Sequence, residues 1–133
     1  METPMILIDT NIFLEILLEQ KRAEEATNFI DHQNTDEIFI SDFTIHSVGV
    51  IMFRPSINKH ELYHDFVYDV LLNGGVRTLT LALSDTPNLV SSSRNYNLDF
   101  DDAYQYVLCK KHDLDIASYD TDFDSTDLHR IEP

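Results

Sequence analysis

The sequence predicts an α/β fold, a mostly parallel sheet with helices on both faces. Three observations predict it. Ile6-Leu7-Ile8 is an apolar run without polar interruption, as a strand buried on both faces requires. Short β-prone runs recur at Ile38-Phe39-Ile40, Val76 to Leu81 and Leu114 to Ser118. Between them lie pairs of stretches with apolar residues at helical spacing, giving the order β-α-α-β-α-α-β-α-α-β.

Taken in order, the first strand belongs to the stretch from Met5 to Asn11 and ends in Asp9. Ligands of open α/β sheets bind beyond the carboxyl ends of the strands, so Asp9 is placed for chemistry. Thr10 or Asn11 can cap a helix with Phe13, Ile16 and Leu17 on its inner face. A second helix from about Lys21 carries Ala23, Ala26, Thr27 and Ile30 at i, i+3, i+4, i+7 spacing. After the second strand, Ser41 or Asp42 caps a helix that stops before Pro55, and Gly49 inside it points to close packing. The next helix starts near Asn58, with Glu61 as in a capping box and Leu62, Phe66 and Val70 as its stripe. Asn73-Gly74-Gly75 ends it, and Val76 to Leu81 gives a strand nearer an edge. Thr86-Pro87 opens a helix with a thin core face, through about Tyr96. Asp101-Asp102 opens a stronger one, with Asp101 as cap and Ala103, Tyr106 and Val107 on one face. Leu114 to Ser118 is the fourth strand, and Leu128 to Ile131 can add a fifth after the acidic loop Tyr119 to Asp124.

The chain has 133 residues with no linker or repeat, which suits a single domain over 1–133. Its net charge of -15, from 24 acids and 9 bases, opposes loose electrostatic binding to a polyanion. Any action on nucleic acid needs metal ions or a partner to offset repulsion. Cys109 is the only cysteine, which excludes an internal disulfide and suggests packing in a reducing compartment. Met-Glu-Thr-Pro at the start lacks a basic, apolar leader, and no apolar run reaches the ~18 residues of a membrane span. A cytoplasmic protein without a membrane segment is the expectation.

Three acidic sites fall where this topology brings them together. Asp9 ends the first strand, Asp102 opens a helix beside it, and Asp120 follows the fourth strand. Converging carboxylates raise one another's pKa unless a cation neutralises them. Hard oxygen ligands suit Mg²⁺ or Mn²⁺, which can activate water and stabilise the leaving oxygen of a phosphodiester. Taken singly, each acid also reads as a cap, a turn or a solvated loop residue.

The segments Ile8-Asp9-Thr10-Asn11, Ile40-Ser41-Asp42-Phe43-Thr44, Asp102-Ala103 and Ser118-Tyr119-Asp120-Thr121-Asp122-Phe123, in this order and spacing, resemble the PIN-domain family. The likeness is to the VapC-type toxin nucleases of VapBC toxin-antitoxin pairs in particular. That resemblance implies a PIN-like three-layer α/β/α sandwich, Mg²⁺- or Mn²⁺-dependent endoribonuclease activity on RNA, a homodimer and a cognate antitoxin that blocks the site. It makes Asp9, Asp102 and Asp120 metal ligands, Asp122 a possible outer partner, and Asn11 a hydrogen-bonding support. The family's usual glutamate in the helix after the second strand falls at Ser47, which has no carboxylate. Asp42 can replace the lost charge, and joins the catalytic set on that ground. His46 can bind a softer metal or act on a proton, or simply pack with a hydrogen bond.

Two alternatives stand beside the nuclease. Ser47 and the strong negative charge suit a PIN fold that has lost catalysis and serves as a binding or regulatory module. His60-Glu61-Leu62-Tyr63-His64 matches H-E-x-x-H, a zinc peptidase string on a helix. Capping by Asn58 and Glu61 already explains part of it, and Val67 occupies the place of the metzincin glycine.

Overall fold

The computed structural model describes residues 4–133, so the expectation about the first residues of the chain lies largely outside the described part. Strands β1 (Ile6–Ile8), β2 (Ile38–Ser41), β3 (Arg77–Leu79), β4 (Asp115–Ala117) and β5 (Arg130–Ile131) form one sheet in the order β3-β2-β1-β4-β5. Every neighbouring pair is parallel. Around it lie helices α1 (Thr10–Leu17), α2 (Ala23–Asp31), α3 (Asp42–Met52), α4 (His60–Asp65), α5 (Thr86–Tyr96) and α6 (Phe100–His112). None of the described helices is long and apolar enough to cross a membrane.

Side chains that alternate along each strand feed two separate cores. Ile6, Ile8, Ile38 and Ile40 pack against Ile12 and Phe13 of α1, Val48 and Met52 of α3, and Phe66. Leu7, Phe39 and Ile116 face the other way, onto Ala103, Val107, Leu108 and Cys109 of α6 and onto Phe123. The result is the α/β sandwich that the element order predicts. Cys109 is a buried packing residue, and burial pushes its thiol pKa far up.

The topology fixes where a site can form. From central β1 the chain builds outward through β2 to β3, then returns to the other side of β1 for β4 and β5. The direction of winding therefore reverses between β1 and β4. The turns leaving these two strands diverge to opposite faces and open a crevice at their carboxyl ends.

Several local expectations differ from the structure. Asp9 itself, rather than Thr10 or Asn11, is the N-cap of α1. Asp99, rather than Asp101, caps α6 and accepts from the Asp102 amide at 3.1 Å. No capping box opens α4: Asn58 has a left-handed backbone (φ 53°), and Lys59 precedes the helix without a side-chain cap. Leu62 and Val70 are exposed, while Phe66 and Leu71 are buried. For Val70 and Leu71 the cause is a π-helical continuation of α4 over Phe66–Leu72, whose wider turn puts residues five apart on one face. Gly49 packs as its place in a helix suggests, since a Cβ there would lie 3.1 Å from the Tyr63 ring. Strand β3 is an edge with Arg77 and Thr78 exposed, and α5 buries none of its side chains.

Candidate metal centre at the carboxyl edge of the sheet

The crevice between β1 and β4 is a cleft of about 280 Å³ lined by Asp9, Thr10, Asn11, Leu14, Phe43, Ser47, Ile51, Asp101, Asp102 and Asp120. Each acid arrives on a different element. Asp9 is buried where β1 turns into α1, Asp102 is buried in the first turn of α6, and Asp120 opens the short 3₁₀ turn Thr121–Ser125 beyond β4. No lysine or arginine lines the cleft.

Protein donors surround the Asp9 carboxylate. Its Oδ1 accepts from the Thr10 amide at 2.8 Å and from Gln105 Nε2 at 3.0 Å. Its Oδ2 accepts from Ser118 Oγ at 2.6 Å, with Asn11 Nδ2 further off at 3.4 Å. Ser118 Oγ in turn accepts from the Asp120 amide at 2.9 Å and from Asn11 Nδ2 at 3.1 Å, so one hydroxyl ties the ends of β1 and β4 together. Burial raises the Asp9 pKa. The bonds from Ser118, Gln105 and Thr10 oppose that rise, and the charge of Asp120 adds to it.

Behind Asp9 lies a buried polar chain. Gln105 Nε2 also donates to Thr44 Oγ1 at 2.9 Å, and Ser41 Oγ donates to the same oxygen at 3.1 Å. With two donors received, the Thr44 hydroxyl sends its own hydrogen to Thr10 Oγ1, 2.9 Å away. Gln105 Oε1 is buried without a partner. Gln105, Ser118 and Thr44 carry no role in the sequence reading. Only Gln105 left a trace there, as the polar member of the otherwise apolar run from Ala103 to Cys109 on α6, tyrosines apart.

Asp102, Asp120 and Asp122 each bring a carboxylate oxygen within 4.8 Å of the others. Among the described residues, this is the cluster of three ligating side chains that can hold a metal ion. Asp122 reaches it from the 3₁₀ turn, where its amide donates to Asp120 Oδ1 at 2.9 Å. Burial, hydrogen bonding to Asp120 and the charges of Asp120, Asp99 and Asp9 push the Asp102 pKa up to about 8. An all-carboxylate donor set under this much mutual repulsion fits a hard divalent cation.

The remaining sequence candidates fall elsewhere. Asp42 does not line the cleft; it is the first residue of α3, where its Oδ1 accepts from the Phe43 amide at 2.8 Å and from the Tyr104 hydroxyl at 2.8 Å. Ser47 does line it, one turn further along α3, whereas His46 is exposed on another face. His60 lies against the Phe53 ring with centroids 4.1 Å apart, and His64 stacks on Tyr68 at 4.7 Å. Both are exposed, and no third ligand joins them among the described residues.

A family model described as PIN domain matches residues 6–128. The fold is also similar to that of several solved structures. FitAcB from Neisseria gonorrhoeae is 21% identical with a TM-score of 0.78, over 96% of this chain and 97% of that one. VapC20 from Mycobacterium tuberculosis, described as a sarcin-ricin loop cleaving toxin, is 14% identical with a TM-score of 0.80, over 96% and 99%. A toxin-antitoxin complex from Klebsiella pneumoniae is 17% identical with a TM-score of 0.70, over 96% of each chain. A comparison with curated proteins found no match.

Two expected outcomes follow from the carboxylate cluster and its support. The folded protein holds a proton on Asp102 up to about pH 8 that the unfolded chain releases near 3.8. Between those values the native state binds more protons, so without divalent cation stability falls as pH rises from about 4 to about 8. Urea denaturation in EDTA should show this loss, Mn²⁺ should reverse it, and Asp102→Asn should flatten it; parallel curves for wild type and variant would assign the slope to other groups. Gln105→Leu removes the donor to Asp9 and to Thr44 together with one orphaned buried oxygen, so stability should fall by no more than about 3 kcal/mol. Calorimetric Mn²⁺ affinity should nevertheless drop roughly tenfold or more, as for loss of a group that orients a ligand.

Proposed function

We propose that this chain, which belongs to the PIN-domain family, is a metal-dependent endoribonuclease that hydrolyses RNA phosphodiester bonds and serves as the toxin of a VapBC-type toxin-antitoxin pair. The observation that carries this reading is the meeting of Asp102, Asp120 and Asp122 oxygens within 4.8 Å, at a cleft that Asp9, Asp102 and Asp120 line together. Supporting it, one structural neighbour is described as a toxin that cleaves the sarcin-ricin loop and another as a toxin-antitoxin complex.

In this reading Asp9, Asp102 and Asp120 would hold Mg²⁺ or Mn²⁺, and Asp122, whose carboxylate lies within 4.8 Å of those of Asp102 and Asp120, would be a further ligand. When bound, the cation supplies the positive charge that activates water and stabilises the leaving oxygen. Asp102 releases its proton as the ion binds, so affinity rises with pH up to about 8. Ser118 and Gln105 fix both oxygens of Asp9, which keeps its carboxylate from turning away as the substrate enters. Asn11 fastens the turn after β4 by accepting from the Tyr119 amide at 3.2 Å. The protein works as a single domain over 1–133, as a homodimer, in the cytoplasm, and a cognate antitoxin closes the cleft.

One observation favours a second reading. Ser47 lines the cleft at the position where the family resemblance places a glutamate, so α3 brings no carboxylate to the ion. A weaker cation site suits a binding or regulatory module. The two readings part on activity. Purified protein with Mn²⁺ or Mg²⁺ should cut single-stranded RNA, with Asp102→Asn and Asp120→Asn each lowering the rate more than about 100-fold. Cutting that survives both substitutions would refute the nuclease. An inert wild type that gains activity as Ser47→Glu would establish the weakened module instead.

A further inference from the structure

An acidic nuclease has to hold a polyanion. The net charge is -15, no base lines the cleft, and Lys110, Lys111 and Arg130 are bound to Asp127, Asp85 and Asp124 of the chain itself. Pairing of phosphates with lysine or arginine therefore contributes little at this site, and contacts to the bases have to add to whatever affinity a cation would supply.

Beside the cleft stand three aromatic rings. Phe100 and Tyr104 lie one turn apart on α6, and Phe43 faces them from the first turn of α3; the ring centroids are 5.9 Å apart for Phe43 and Phe100, 5.7 Å for Phe43 and Tyr104, and 6.0 Å for Phe100 and Tyr104. Phe43 also lines the cleft, and Phe100 directly precedes Asp101 and Asp102. Phe100 is 56% exposed, and neither it nor Phe43 packs into either core. Tyr104 is held in place at its hydroxyl, which donates to Asp42 at 2.8 Å and accepts from the Leu81 amide at 3.0 Å. A ring fixed at its far end and a neighbour open to solvent make a preorganised surface rather than a mobile side chain.

The ring planes are tilted to one another by 59°, 33° and 42°, and the geometry points to Phe100, backed by Phe43 and Tyr104, as a stacking platform for an unpaired base of single-stranded RNA, next to the metal centre at which the phosphate would sit; the identity of that neighbouring site rests on the nuclease reading. Aromatic stacking suits this chain because it requires no positive charge and accepts any base. Asp42 then acts on the platform, by holding Tyr104, and not on the cation.

The test uses a short single-stranded RNA with one 2-aminopurine, whose fluorescence falls when it stacks, and the Asp102→Asn protein to prevent cleavage. Binding should quench the probe. Adding Phe100→Leu should weaken affinity about tenfold and abolish the quenching, while Phe100→Trp keeps both. In the otherwise wild-type enzyme Phe100→Leu should raise KM about tenfold, with kcat changing less than threefold. Unchanged affinity and quenching in Phe100→Leu would overturn the platform while leaving the nuclease intact. A fall in molecular mass from dimer to monomer alongside the lost affinity would also overturn it, assigning the rings to a contact between copies. Quenching that depends on Phe100 in a protein that cuts no RNA would sink the nuclease and keep the platform.

Discussion

Mutual repulsion among carboxylates at one edge of the sheet is the constraint on which the rest of this structure depends. Asp9, Asp102 and Asp120 come from three elements far apart in sequence, yet they line one cleft with no base among its walls. Such charges push their elements apart, and without a cation Asp102 answers by keeping its proton up to about pH 8. Here the backbone holds them. The chain turns sharply at Asp9 into α1, Asp99 pins the first turn of α6, and Asp120 ties its own 3₁₀ turn by accepting from the Asp122 amide. Ser118 then couples the two strand ends through one hydroxyl. The charges destabilise the site and neutral donors hold it together, a repulsion that a bound cation would relieve.

Much of the frame was legible because it depends on local composition. The apolar triplet Ile6 to Ile8, the cap at Ser41, the helix start at Thr86-Pro87, and the glycine pair after the fourth helix each act within a few residues. The acids at 9, 102 and 120 could be placed from element order alone, since a parallel sheet sends its strand ends, and the starts of the helices that lead back to its strands, to one edge. The errors have a different origin. The π-helical turn over Phe66–Leu72 changes the side-chain period from within, so a stripe counted at 3.6 residues names Val70 where Leu71 is buried. Asp9 and Asp99 cap helices because of the direction in which the preceding chain arrives, which the identity of neighbouring residues leaves open.

The site shows the same division. Asp42 is acidic and at the right helix end, but its carboxylate is taken by Tyr104, sixty-two residues away. No spacing rule reveals such a pairing. Gln105, Thr44 and Ser118 support Asp9 through contacts across three elements, and polar residues of this kind look ordinary until the fold brings them together. The H-E-x-x-H string is the opposite case. Its residues have the right local spacing, yet the helix that carries it lies on the surface with its imidazoles against Phe53 and Tyr68.

Ser47 makes the charge balance of the cleft a property of this chain, since α3 faces the acids with a hydroxyl. Whether the remaining carboxylates suffice to hold a hard divalent ion decides the role of the cleft. Anomalous diffraction from crystals grown with Mn²⁺ tests it most directly. A manganese peak should appear bonded to oxygens of Asp102 and Asp120, with Asp122 or Asp9 completing the protein ligands. No peak in the cleft at saturating Mn²⁺, or a peak held by His60 and His64, would contradict it.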